Sequence, residues 1–85
     1  MSRLSWALRG ARAWLRLAHL AQASRHIAEL TVQIVRQRVI VKHALDTGQR
    51  SEMAESLLDA LEGSIRIFEK HRVLILGQLQ RQRSE

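Results

Sequence analysis

The second half of the chain carries the most regular pattern, with apolar residues at alternating steps of four and three. This spacing places them on one face of an α-helix, as in the heptads of a coiled coil. Ser51 has the residue type of a helix N-cap, so we predict a helix from about Glu52 to about Gln80, followed by a frayed tail at 81–85. The seam residues are Ala54, Leu58, Leu61, Ile65, Phe68, Arg72, Ile75 and Leu79.

The segment before it carries a matching seam. Between the two seams lies Gly48, a residue that can adopt the left-handed conformation in which helices end. We therefore predict an all-α antiparallel two-helix hairpin over 23–80, with its turn at 46–50 and facing positions whose numbers add up to 99. The seam residues of the first helix are Leu20, Ala23, Ile27, Leu30, Ile34, Gln37, Val41 and Leu45.

Two polar residues interrupt the seams. The predicted register places Gln37 level with Glu62, with Arg38 one position away. It places Arg72 opposite Ile27, within reach of Glu29 and Glu69. Unpaired charge is costly at a buried position. We interpret Gln37 and Arg72 as residues that set the register or extend their polar ends into water.

The first helix carries another apolar line, which we call the second apolar line. A helix with two apolar faces needs two neighbours, and the hairpin partner can cover only one face. We expect a second copy to cover the other, giving a homodimeric helical bundle whose self-association seam contains Val32, Val35 and Val39. In the alternative, residues 4–22 fold back as a third helix with a bend at Ala23–Ser24. The line consists of Ala7, Ala11, Trp14, Ala18, Ala21, Arg25, Ala28, Val32, Val35 and Val39.

Residues 1–22 form a basic amphipathic segment. Five arginines and no acid precede Glu29, whereas nine bases and eight acids follow from there onward. Three interpretations stay open: an ordinary helix with a solvated face, a transit peptide, or an anchor on an anionic membrane surface. Nucleic acid is the least favoured partner, since no recognition motif accompanies the charge. The expected membrane or partner contacts are Trp6, Arg9, Arg12, Trp14 and Arg16.

The remaining composition argues against catalysis. The chain has 85 residues and no cysteine, which excludes disulfides and thiolate metal sites. Its four histidines lack chelating spacing, and no phosphate loop or nucleophile motif is present. We expect no catalytic, cofactor-binding or metal-binding residue, no small-molecule substrate, and no membrane-spanning segment.

One stretch resembles a group of short, uncharacterised helical-hairpin proteins of rhizobia and related alphaproteobacteria. It spans residues 26–79, although Gln49-Arg50 and the front rich in tryptophan and arginine are atypical. The resemblance implies a bacterial cytoplasmic setting and no activity, and it transfers no functional residue. It is carried by His26-Ile27-Ala28-Glu29, Val35-Arg36-Gln37-Arg38, Gly48, Ala54, Leu57-Leu58, Leu61-Glu62 and His71-Arg72.

The sequence therefore predicts a non-enzymatic, self-associating scaffold or regulatory binding module in the cytoplasm. The alternative from another class is a peripheral membrane protein anchored by residues 4–21.

Overall fold

The computed structural model describes the backbone of residues 3–84 and the side chains of residues 7–82. It consists of helix α1, Arg3–Asp46, and helix α2, Glu52–Ser84, packed against each other in antiparallel orientation, with no strand in the described part. The predicted all-α hairpin is confirmed. Helix α2 continues four residues beyond its predicted end at Gln80.

Helix α1 runs without interruption through Ala23 and Ser24 for 44 residues. No proline occurs in the chain, and Gly10 is the only glycine within this helix, so no residue forces a bend. The alternative in which residues 4–22 fold back as a third helix is contradicted. From Arg3 onward, the predicted basic segment is the first part of α1.

The turn after α1 follows the geometry predicted for Gly48. Its φ is 71°, in the left-handed region. Its N–H donates to the Leu45 carbonyl at 3.2 Å, and the Gln49 N–H donates to the Ala44 carbonyl at 2.7 Å. These two bonds make a Schellman motif, which satisfies carbonyls that the end of a helix would leave unpaired.

Ser51 begins α2 as predicted. Its hydroxyl oxygen accepts a hydrogen bond from the Ala54 N–H at 3.2 Å, the bond expected of an N-cap. Glu52 and Glu55 occupy the first turn, where negative charge complements the helix dipole. Arg50 donates two hydrogen bonds to Glu55, at 2.9 and 3.2 Å, and this carboxylate raises the pKa of Arg50.

The core between the helices is thin. Ala23, Ile34 and Ile75 are the only buried apolar residues among the described side chains. Most other seam residues are half-buried, because two helices in contact along one line cannot surround a side chain. The prediction that Leu45 belongs to the seam is wrong, because Leu45 lies exposed beside the turn. The half-buried seam residues are Leu20, Ile27, Leu30, Val41, Ala54, Leu58, Leu61, Ile65, Phe68, Arg72 and Leu79.

The predicted register holds on one flank of the seam. There Ile34 and Ile65 line one groove, and Arg38 pairs with Glu62, one residue from the predicted level. On the other flank the His26 ring stacks on Phe68. Phe68 lies five residues, or about 7 Å along the axis, from the position that the predicted register places opposite His26. Rows of side chains are inclined to a helix axis, so the contacts on the two flanks of a packed pair are offset from each other along the axis.

The molecule is a rod of 70 × 16 × 14 Å. Its radius of gyration is 19.5 Å, against about 12 Å for a compact chain of this length. Helix α1 has 44 residues and α2 has 33, a difference of 11. Since the turn joins their other ends, the first turns of α1 extend about 16 Å beyond the end of α2.

Candidate interaction surface

The second apolar line lies on the outer side and one flank of α1, away from the seam with α2. At 100° per residue, Val32, Val35 and Val39 lie about 100° to 160° around the helix from the buried Ile34. From Ala7 to Val39 the line extends for about 48 Å. Helix α2 therefore leaves most of the line uncovered, although Val35, the valine nearest the seam, lines a groove together with Ile65 and Arg66 of α2.

All ten residues of this line are exposed. Val32, Val35 and Val39 retain 50%, 56% and 65% of their accessible surface, whereas Ile34 retains 5%. Among the described side chains, fifteen large apolar residues are exposed and three apolar residues are buried. The isolated hairpin therefore leaves these fifteen large apolar side chains largely in contact with water.

The predicted contacts at the front of α1 do not form one cluster. Arg9, Arg12 and Trp14 are exposed, and Trp14 retains 71% of its surface. Arg16 is half-buried. The side chain of Trp6 lies outside the described residues. Trp14 belongs to the second apolar line, three heptads before Val35, so it lies on the opposite side of the helix from the arginines.

Arg9 and Arg16 continue the hairpin seam rather than a separate polar face. They precede the buried Ala23 by two heptads and one heptad, so they lie on the side of α1 that faces α2. The seam changes from apolar to basic where α2 ends. Cations beside the C-terminal end of a helix interact favourably with its dipole.

The antiparallel fold also gathers basic residues from both ends of the sequence. We call residues 3–25 together with 72–84 the open end. It contains eight of the 14 lysines and arginines and no acid. Residues 36–62, around the turn, contain four bases and five acids. The rod is therefore strongly basic at one end and close to neutral at the other.

Gln37 joins the two helices by a bond that the sequence did not predict. It is 8% exposed, and its side-chain amide donates to the Ala54 carbonyl at 2.9 Å. The expected polar pair at this level is made by Arg38, whose guanidinium lies 3.2 Å from the Glu62 carboxylate. The heptad pattern marks both positions as polar, but it does not reveal which neighbour each would reach.

The histidines contribute an aromatic contact. The rings of His26 and Phe68 are 5.0 Å apart at an interplanar angle of 26°, and His26 also lies 3.7 Å from Glu29. His19 and His71 line the groove beside this stack. Within the described residues, no group of three or more histidines and acids has the geometry of a metal site.

Searches against protein-family models, curated proteins and solved structures found no match to this chain. In the part of the chain that the structure describes, neither helix is both long and apolar enough to cross a membrane.

Proposed function

We propose that this chain is a small, non-enzymatic, self-associating protein that acts as a scaffold or regulatory binding module, with a second copy on the second apolar line of α1. The observation that carries this proposal is the exposure of Val32, Val35 and Val39 on one face of a long helix. Exposed apolar surface of this extent is characteristic of interaction sites. The bacterial cytoplasm is the setting that we propose with it.

Sedimentation equilibrium of the full chain over a range of micromolar concentrations tests the proposal. We expect a dimer, and we expect Val35→Gln with Val39→Gln to yield a helical monomer. Ile67→Gln is the matched control, because Ile67 is as exposed as Val39 but lies on α2. Circular dichroism verifies that each variant is folded. A full chain that is monomeric at every concentration would contradict the proposal.

A second candidate is supported by the exposed tip of α1. Leu8, Trp14 and Leu15 are all exposed near the end that extends beyond α2, and this end of the rod is basic. Apolar residues next to arginines are typical of helices that lie on anionic lipid. On this reading the chain is a peripheral membrane protein.

Vesicles containing anionic lipid distinguish this candidate. Binding would shift the tryptophan emission to the blue at low salt, and the shift would weaken at higher salt because charges are screened. Trp14→Ala and neutral vesicles are the controls. An unchanged emission spectrum with anionic vesicles at low salt would exclude the membrane function.

A further inference from the structure

We infer that the second copy binds antiparallel to α1, with Trp14 opposite Val39, Ala18 opposite Val35, Ala21 opposite Val32, and Arg25 opposite Ala28. This inference rests on the proposed self-association and specifies its geometry. It follows from two asymmetries along the exposed face of α1, one of side-chain size and one of charge.

Side-chain size differs between the two halves of the second apolar line. Before residue 29 the line consists of alanines apart from Trp14 and Arg25, and after it the line consists of three valines. Facing positions pack well when large residues meet small ones. A parallel pair would place valine on valine and alanine on alanine. An antiparallel pair in the proposed register places Val35 and Val32 of each copy against Ala18 and Ala21 of the other, and Val39 against Trp14.

Charge favours the same orientation. A parallel pair would bring two open ends side by side, each with eight bases and no acid. Like charges within about 10 Å repel at 0.1 M salt. An antiparallel pair separates the two open ends and places each nearer to the turn half of the other copy, in which acids outnumber bases by five to four.

Arg25 selects the register within the antiparallel arrangement. It is the only charged residue on the second apolar line, and it is exposed. In the proposed register, Arg25 lies one position from the level of Glu29 of the second copy. Both residues lie toward the same flank of the line, so the twofold axis relates two identical Arg25–Glu29 ion pairs. A shift of one heptad toward the front places Arg25 opposite Ala21, with no acid near it.

Cysteine variants of the full chain test this geometry, because the natural sequence contains no cysteine. Ala21→Cys and Val32→Cys are prepared separately, mixed and oxidised. We expect disulfide-linked heterodimers in the mixture and no linked dimers from either variant alone. In a dimer of one variant, the two copies of the new thiol would lie about 16 Å apart, too far to form a disulfide. Linked dimers from Val32→Cys alone would indicate a parallel pair and overturn the inference.

Charge exchange tests the register independently. Arg25→Glu should weaken self-association by about tenfold, which corresponds to about 1.4 kcal/mol. Arg25→Glu combined with Glu29→Arg should restore it. If the double variant self-associates as weakly as Arg25→Glu alone, the proposed Arg25–Glu29 ion pair does not form. In either failure the full chain would still sediment as a dimer, whereas a monomeric full chain would refute the proposed function itself.

Discussion

Ile34 and Val35 are neighbours in α1, yet Ile34 is buried against α2 and Val35 is more than half exposed. Each belongs to a line of residues with the same heptad spacing, and each is a β-branched aliphatic residue. The difference arises from the chain around them, since a single hairpin partner covers one side of a helix. Apolar spacing thus identifies the faces that require a neighbour, but the number of neighbours within the chain decides which face is covered.

Truncating each of these two neighbours gives the largest contrast. Ile34→Ala should lower the free energy of unfolding by about 2 to 5 kcal/mol, because it opens a cavity in a core with few buried residues. Val35→Ala should change it by less than about 0.5 kcal/mol when the protein is dilute. Urea denaturation followed by circular dichroism measures both.

Protein concentration sharpens this comparison. Stabilisation by a second copy grows with concentration, so the effect of Val35→Ala should increase when denaturation is repeated in concentrated solution. The effect of Ile34→Ala should already be present at the lowest concentration. Equal losses from the two variants under dilute conditions would mean that both faces are covered within one chain.

The turn reverses the chain between α1 and α2, and the role of Gly48 in it can be tested directly. Gly48→Ala should destabilise the hairpin by about 1 kcal/mol, because alanine is strained at positive φ. No heavy atom outside its immediate neighbours lies within 4 Å of a Cβ built at Gly48, so backbone conformation rather than crowding is the cause.

Gly10→Ala is the matched control for this variant. Gly10 lies within α1 and is equally uncrowded, so alanine there should leave stability unchanged or raise it by up to about 1 kcal/mol through its helix propensity. Thermal denaturation of the two variants should shift in opposite directions. A stabilising Gly48→Ala would show that the turn tolerates another conformation.

The smallest effect is expected at Arg72, a charged residue on the covered side. It is half-buried, and no hydrogen bond or ion pair joins it to another described residue. Arg72→Leu should leave the free energy of unfolding unchanged or raise it by about 1 kcal/mol, because leucine suits an apolar seam. A marked loss of stability in urea would show that Arg72 has a partner that stabilises the hairpin.

Much of the fold follows from local residue types. Gly48 and Ser51 determined where α1 ends and α2 begins, since few other residues satisfy those positions. The two seams determined that the helices pair in antiparallel orientation, and the second apolar line was visible from its spacing. These features depend on regular spacing within each helix and on the short turn between them, so they can be predicted from the sequence.

The tertiary structure decided how the surfaces are distributed in space. It brought Gln37 to the Ala54 carbonyl and stacked His26 on Phe68. It also joined the arginines of the front and of the C-terminal part in one basic end. Each of these contacts depends on the axial offset between two inclined rows of side chains. That offset results from packing the whole interface, so no single segment of the sequence encodes it.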